Sequence, residues 1–92
     1  MYSLHPSKQY RKAFKRLNRS GRFDASELEN VLALLVMGNT LPVRYANHPL
    51  QGKYSDCFEC HIKSDLLLIY KIDSEQQKIA LVRLGSHSEL FK

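Results

Sequence analysis

The stretch that decides the fold is DCFECHIKSDLLLIYKIDSEQQKIALVRL, residues 56–84. It contains three strand-like runs, at Asp56–Ile62, Leu66–Ile72 and Lys78–Leu84, which are separated by short polar connections. Three such runs in succession predict an antiparallel meander. The middle run is apolar at both alternating sets of positions, which favours it as the central strand.

Two helices are predicted before the meander. Ser7 is placed to cap a helix from Lys8 to Asn18, whose apolar residues recur at helical spacing. Asp24 and Glu27 resemble a capping box at the start of a second helix, which Gly38-Asn39 would end. The expected buried positions are Tyr10, Phe14 and Leu17 in the first helix, and Leu28, Val31, Leu32 and Leu35 in the second.

These elements predict a single α+β domain over residues 1–92. We expect an N-terminal strand, an antiparallel hairpin of two helices on one face of a small, mainly antiparallel sheet, and a short C-terminal helical turn. Residues 41–54 lack a sustained period and predict a long surface loop, which in compact domains is often functional. The uncovered face of the sheet is the expected place for chemistry.

Charge is unevenly distributed along the chain. The net charge is +5, yet residues 1–23 carry seven cations and no acid, while the remaining seven cations are outnumbered by nine acids. Such a basic segment is typical of proteins that meet nucleic acid, an acidic protein or a membrane surface, and a merely solvated helix face is the plain alternative. The cations are Lys8, Arg11, Lys12, Lys15, Arg16, Arg19 and Arg22.

The two cysteines lie in the run Cys57-Phe58-Glu59-Cys60-His61, which matches the CxxCH pattern of covalent haem attachment. Strand alternation places Phe58, Cys60 and Ile62 on one face and Cys57, Glu59 and His61 on the other, so the two thiols should point apart. This geometry disfavours both haem attachment and a zinc site. With no apolar targeting or membrane-spanning run, we expect a soluble, cytoplasmic protein with free thiols and no cofactor.

Histidines are concentrated in the second half of the chain, at positions 48, 61 and 87, together with Asp65 and Arg83. Histidine exchanges protons near neutral pH, so this set predicts acid–base chemistry on an anionic substrate, with RNA the natural candidate. If the first hairpin closes with a short loop, His61 and Asp65 would lie nearly opposite each other and form a carboxylate–imidazole pair. Alternation alone does not decide which face Arg83 takes, although its position near a strand end favours the open rim.

Three segments together resemble one known family. They are His48-Pro49-Leu50-Gln51-Gly52, the run CHIKSDLLLIY at residues 60–70, and RLGSHSELF at residues 83–91. Their order and spacing are similar to the YafQ-like branch of the RelE/ParE toxin superfamily, and the resemblance covers nearly the whole chain. It implies a RelE-like fold and the toxin of a type II toxin–antitoxin pair, acting as a ribosome-dependent endoribonuclease, or mRNA interferase.

The resemblance also implies the site. The family's functional residues fall on His48, His61, Asp65, His87 and Phe91, and Arg83 occupies the family's basic position. Relatives often have a proline before the aspartate and an aromatic residue after it, where this chain has Ser64 and Leu66, so an aliphatic side chain stands where a ring would stack on a substrate base.

We expect Asp65, assisted by His61, to act as the base and His87 as the general acid. His48 would be a second proton-transfer or phosphate-orienting group, Arg83 would stabilise developing charge, and Phe91 would position the acid or stack on a base. No metal is required. The products would be a 2′,3′-cyclic phosphate and a 5′-hydroxyl.

The expected partners are a cognate antitoxin, mRNA on the 70S ribosome and ribosomal RNA, with no membrane partner. The protein would contact DNA only indirectly, through an antitoxin that binds DNA and represses the operon encoding the pair. The basic face of the first helix, at Lys8, Arg11, Lys12, Lys15, Arg16 and Arg19, would bind RNA or the antitoxin.

Plain alternatives exist for each candidate. His48 could fill a turn, His61 could be a solvated strand residue, and Asp65 could close a turn. His87 could cap the final turn, and Phe91 could plug the core and hold down the tail. At the level of the whole protein, the alternatives are a ParE-like toxin that binds DNA gyrase without nuclease activity, or a basic nucleic-acid-binding module.

Overall fold

The computed structural model describes residues 1–21 and 23–91, so Arg22 of the predicted basic segment lies outside the described residues. The elements, in chain order, are β1 (Ser3–Pro6), α1 (Lys8–Arg19), α2 (Ser26–Val36), β2 (His48–Pro49), β3 (Phe58–Lys63), β4 (Leu66–Asp73), β5 (Lys78–Gly85) and α3 (His87–Leu90). Two single-turn 3₁₀ helices, Val43–Tyr45 and Gly52–Tyr54, lie on either side of β2. Over this part of the chain, no helix is both long and apolar enough to cross a membrane.

The strands form one mixed sheet in the order β1-β5-β4-β3-β2. The meander β3-β4-β5 is antiparallel with β4 at the centre, as predicted, and β1 pairs with β5 in parallel. The interpretation of residues 41–54 as loop throughout was wrong, because His48 pairs with Glu59 and Pro49 with Phe58 at the edge of the sheet. A two-residue edge strand that contains proline is too short to show a period of two.

Helix α1 begins as predicted. The Ser7 side chain accepts from the backbone N–H of Tyr10 at 3.0 Å and donates to the carbonyl of Val82 at 2.7 Å, so it caps the helix and also attaches it to β5. The contacts of α1 are mainly with β5, whereas α2 contacts β3. The two predicted helices therefore lie on the same face of the sheet and share one apolar core.

The start of α2 differs from the predicted capping box. The N-cap residue is Ala25, which makes no side-chain cap, although Asp24 accepts from the backbone N–H of Ser26 at 2.9 Å. Glu27 instead accepts from the hydroxyl of Tyr45 at 2.7 Å. The Glu27 carboxylate, which the local sequence assigned to the cap, therefore bonds to a residue that is distant in sequence.

Apolar residues fill both faces of the sheet. The larger core lies beneath the helices and includes Leu28, Val31 and Leu68, which are almost fully buried. The other face carries a smaller cluster formed by Cys57, Leu67, Ile69 and Leu90, with Leu50, Tyr54 and Val82 packed against it. The face predicted to be open is therefore partly covered by the 41–54 segment and by α3.

An irregularity in the β4–β5 pairing orients Arg83. Ile69 pairs with Arg83 and Tyr70 with Leu81, so Val82 is an additional residue in β5. A bulge of this kind lets two successive side chains take the same face. Val82 packs in the smaller cluster, and Arg83 hydrogen-bonds to Tyr54 of that cluster, so both lie on the face opposite the helices.

Candidate active site

A buried glutamate lies between two of the candidate histidines. Glu59 is only 4% exposed, and its carboxylate oxygens lie 3.5 Å from Nε2 of His48 and 3.6 Å from Nε2 of His61. The two imidazole rings are 6.2 Å apart. The short strand β2 produces this arrangement, because its pairing places His48 directly opposite Glu59. A carboxylate in this position can orient both imidazoles and stabilise either one when it is protonated.

Sequence reasoning did not identify Glu59 as a site residue. The signal was nevertheless present, because strand alternation had already put Glu59 and His61 on one face. A carboxylate on a half-buried strand face needs a hydrogen-bond or charge partner, and the histidine on the same face is one candidate. The missing information was β2, which brings His48 to the same carboxylate.

The predicted pair between His61 and Asp65 was wrong. His61 pairs with Leu67 and Lys63 with Leu66 across an irregular register, so Asp65 lies in the turn itself. Its Oδ1 accepts from the backbone N–H of His87 at 3.3 Å. The extra residue before the turn displaces the aspartate from the strand ladder towards the C-terminal helix.

His87 and Arg83 belong to a second group, which two aromatic rings connect. The ring of His87 lies 5.0 Å from the ring of Phe91, and Phe91 contacts the ring of Tyr54 edge to face at 5.9 Å. The hydroxyl of Tyr54 accepts from Nη1 of Arg83 at 3.1 Å. Phe91 is 37% exposed, so it does not plug the core; Leu90 is the buried residue of the tail. Tyr54 is a second member of the site that sequence reasoning missed.

Helix α3 is short, and local contacts stabilise it. Ser86 and Glu89 form a complete capping box, and Arg16 of α1 pairs with Glu89 at 3.0 Å. A side chain on the preceding Gly85 would place its Cβ 2.9 Å from the Glu89 carboxylate. A larger residue at position 85 would therefore displace the Glu89 side chain that completes the capping box with Ser86.

The two groups face each other across the sheet. Glu59 and Arg83 both pair with Ile69, and His61 aligns with Gly85 through Leu67. Because neighbouring strands lie about 4.8 Å apart, the two sides are separated by roughly 10 Å at the backbone. Leu67 and Ile69 lie between them and are buried in a cluster with Leu90, against which Leu50 and Tyr54 pack. We call the surface between the two groups the trough: it has imidazoles on each side and a guanidinium on one, and Tyr54 reaches across it to Arg83.

All six candidate cations of α1 are exposed. Lys12 and Arg16 line a cleft of about 310 Å³ together with Arg83 and Glu89. This cleft continues the cationic surface of the helix to the edge of the trough.

The two thiols are not suited to reaction or metal binding. Cys60 packs in the core beneath the helices and Cys57 in the cluster on the other face, which confirms that they point apart. Burial raises the pKa of Cys57 and raises that of Cys60 to about 12, so both stay protonated at neutral pH. Within residues 1–21 and 23–91, no three or more His, Cys, Asp or Glu side chains are grouped to hold a metal ion.

Comparison with known proteins gives a consistent result. Residues 2–92 match the family described as the bacterial toxin of type II toxin–antitoxin systems, YafQ. The mRNA interferase toxin YafQ of Escherichia coli K12 is 36% identical over 87 residues, which span 92% of this chain and 90% of that protein.

Solved structures agree with the family match. A metal-bound toxin from Helicobacter pylori has a TM-score of 0.90 at 44% identity, over 99% of this chain and all of that one. YafQ in the DinJ–YafQ complex of E. coli has a TM-score of 0.86 at 29% identity, over the whole of both chains. These comparisons confirm the predicted α+β fold and the family resemblance. The chain belongs to the YafQ family of toxins of type II toxin–antitoxin systems.

Proposed function

We propose that this chain is a ribosome-dependent endoribonuclease that cleaves translated mRNA by acid–base attack of the 2′-hydroxyl. The family match and the activity named for the E. coli relative support the reaction class. The observation that carries the proposal is the trough, which has His48, Glu59 and His61 on one side and Arg83 and His87 on the other.

The base side of the reaction is assigned to the histidine pair. His61, with His48 as its neighbour, takes the proton from the 2′-hydroxyl, and the oxygen then attacks the adjacent phosphorus. Glu59 stabilises the imidazolium that forms, because the carboxylate is buried within 3.6 Å of each ring. This assignment replaces Asp65 as base, since Asp65 lies in the turn and accepts a hydrogen bond from the backbone of His87.

The acid side is assigned to His87 and Arg83. His87 protonates the leaving 5′-oxygen, and the Arg83 guanidinium stabilises the negative charge on the phosphorane-like transition state. The P–O5′ bond breaks, leaving a 2′,3′-cyclic phosphate and a 5′-hydroxyl. Asp65 is a positioning residue here, because it accepts from the backbone N–H of His87. Phe91 packs beside the acid and, being partly exposed, can also stack on a base.

The proposed partners follow from the basic face and from the relatives. The exposed cations of α1 would contact mRNA and ribosomal RNA phosphates, and their binding should weaken as salt rises. A relative of this chain is known in the DinJ–YafQ toxin–antitoxin complex. We therefore expect a cognate antitoxin to bind and neutralise this toxin in the cytoplasm.

The test is induced expression in bacteria of the wild type and His87→Ala, with mapping of mRNA 5′ ends and a parallel assay of DNA supercoiling. We expect in-frame cuts that disappear in the variant while the protein stays folded. Growth arrest with intact mRNA and altered supercoiling, unaffected by the substitution, would instead favour a gyrase-binding toxin.

A further inference from the structure

The turn that leads into β2 contacts the ring of His48. Ala46 follows the 3₁₀ turn Val43–Tyr45 and has left-handed backbone angles, φ 47° and ψ 45°, which residues other than glycine seldom adopt. In this conformation its carbonyl oxygen lies 2.9 Å from Nδ1 of His48. Such a backbone conformation is strained and persists only where the surrounding structure fixes it. The residues on either side of Ala46 should therefore be anchored.

Both neighbours of Ala46 are bonded to buried tyrosine or helix positions. Tyr45 is buried, and its hydroxyl donates to Glu27 of α2 at 2.7 Å. On the other side, Oδ1 of Asn47 accepts from the hydroxyl of Tyr70, which is buried on the central strand β4. The turn is therefore attached to α2 before Ala46 and to the central strand after it.

The anchor on the central strand does not depend on the protonation of the histidines. Burial raises the pKa of the Tyr70 hydroxyl well above its ordinary value, so this group stays a donor at neutral pH. The ring of Tyr70 also stacks on Phe58, with 5.8 Å between the ring centroids. Its partner, the Asn47 amide, does not titrate. The hydrogen bond between them is thus a fixed support for the turn.

The contact with Ala46 decides which nitrogen of His48 carries a proton. A carbonyl oxygen can only accept a hydrogen bond, so Nδ1 is the protonated donor. A neutral imidazole has a single N–H, and Nε2 is then the unprotonated nitrogen. Nε2 lies 3.5 Å from the Glu59 carboxylate, and an ionised carboxylate can only accept as well. These two groups can bond to each other only when Nε2 takes a proton.

We propose that this turn and its support on Tyr70 fix the tautomer of His48, so that Nε2 stays available as a second proton acceptor beside His61. Ala46, Asn47 and Tyr70 act through His48 and are positioning residues. The bond from Nε2 to the buried carboxylate forms only as the proton is taken, so it stabilises the transition state and not the free enzyme. The kinetic role rests on the proposed function, whereas the tautomer itself does not.

The tautomer is measured by proton–nitrogen correlation NMR of the free protein with isotopically labelled histidine, at increasing pH until the rings are neutral. His48→Gln identifies the signals of this ring. The test variants are Tyr70→Phe and Asn47→Ala, each of which removes one partner of the supporting bond. Tyr10→Phe is the matched control, because it removes the hydroxyl of another buried tyrosine, on α1. Thermal unfolding verifies that each variant is folded.

We expect His48 to be protonated on Nδ1 and unprotonated on Nε2 in the wild type and in Tyr10→Phe. Tyr70→Phe and Asn47→Ala should give a mixture that contains the Nε2–H form, which an unrestrained imidazole in water prefers. A neutral wild-type ring with its proton on Nε2 would overturn the proposal. So would a tautomer that neither substitution changes.

The kinetic test uses the same variants on translated mRNA. Tyr70→Phe and Asn47→Ala should each lower kcat by about five- to tenfold at unchanged KM. The double variant should lower kcat little further, because both substitutions remove the same bond. Tyr10→Phe should retain wild-type kinetics. A purely structural role would instead lower thermal stability at unchanged kcat, and wild-type kcat in variants with a mixed tautomer would overturn the kinetic role.

The two proposals can fail separately because the NMR measurement uses no RNA. If the His87→Ala test failed, the tautomer of His48 and its dependence on Tyr70 would still be decided by the spectra. If the spectra contradicted the tautomer, the nuclease proposal would still rest on His61 and His87.

Discussion

Glu59→Gln is the substitution that tests the trough most directly. It preserves the size of the side chain but removes the charge that lies 3.5 Å from His48 and 3.6 Å from His61. Two unit charges at this distance attract by about 1 kcal/mol in water and by about 5 kcal/mol at an effective dielectric near 20. Because the histidine side chains are 47% and 42% exposed, the attraction lies between these limits. We take about 2–3 kcal/mol as the working value.

This energy should appear in kcat rather than in KM. The imidazole on the base side becomes charged only as it takes the proton, so the carboxylate stabilises the transition state more than the bound substrate. A loss of about 2–3 kcal/mol corresponds to a decrease in kcat of roughly 30- to 150-fold. The free energy of unfolding should change little, because an amide is cheaper to bury than an unpaired carboxylate.

The assay is steady-state cleavage of a translated mRNA on purified ribosomes, with kcat and KM determined for wild type, Glu59→Gln and Glu75→Gln. Glu75 is an exposed glutamate in the turn between β4 and β5 and serves as the matched control. We expect wild-type kinetics for the control. If Glu59→Gln retained kcat within about threefold of wild type while folded, the electrostatic role of Glu59 and our assignment of the base side would be refuted.

Three further outcomes are expected. Tyr54→Phe removes the hydroxyl that accepts from Arg83 and should lower kcat by about tenfold at unchanged thermal stability, whereas Tyr54→Ala should lower it further because Phe91 also loses its ring contact. Stability should fall at alkaline pH: burial raises the pKa of Cys60 from 9.0 to about 12, so the unfolded thiol ionises first. The contribution of this thiol to the free energy of unfolding, measured in urea, should therefore be complete below about pH 9 and decrease towards pH 12. In Cys60→Ala the free energy of unfolding should decrease less steeply with pH. Finally, cleavage should be unchanged after the purified toxin is dialysed against a chelator, because both proton transfers are assigned to its side chains. A loss of activity that is restored by adding metal to the toxin would contradict this.

Much of the fold could be predicted from local patterns. The alternation and apolar runs of residues 56–84 correctly predicted the meander, and the spacing of Tyr10, Phe14 and Leu17 correctly predicted α1 with its Ser7 cap. The opposite orientation of the two cysteines also followed from alternation alone. These features depend on the period of the backbone, which is a local property.

The predictions that failed involve pairing between distant segments. Glu59 became recognisable as a site residue only when His48, on a two-residue edge strand, was found opposite it. Asp65 was assigned to His61 because an ideal hairpin was assumed, but the irregular register moved it to the backbone of His87. Glu27 was assigned to a helix cap but contacts Tyr45.

The sequence by itself determined the meander and the two long helices, the basic face of α1 and, through the order of its histidines, the family. Only the tertiary structure decided which charged groups meet. Alternation and helical period specify the direction of a side chain relative to its own element. Register, bulges and edge strands, by contrast, are set by the packing of the whole sheet and determine which side chains lie within a few ångströms of one another.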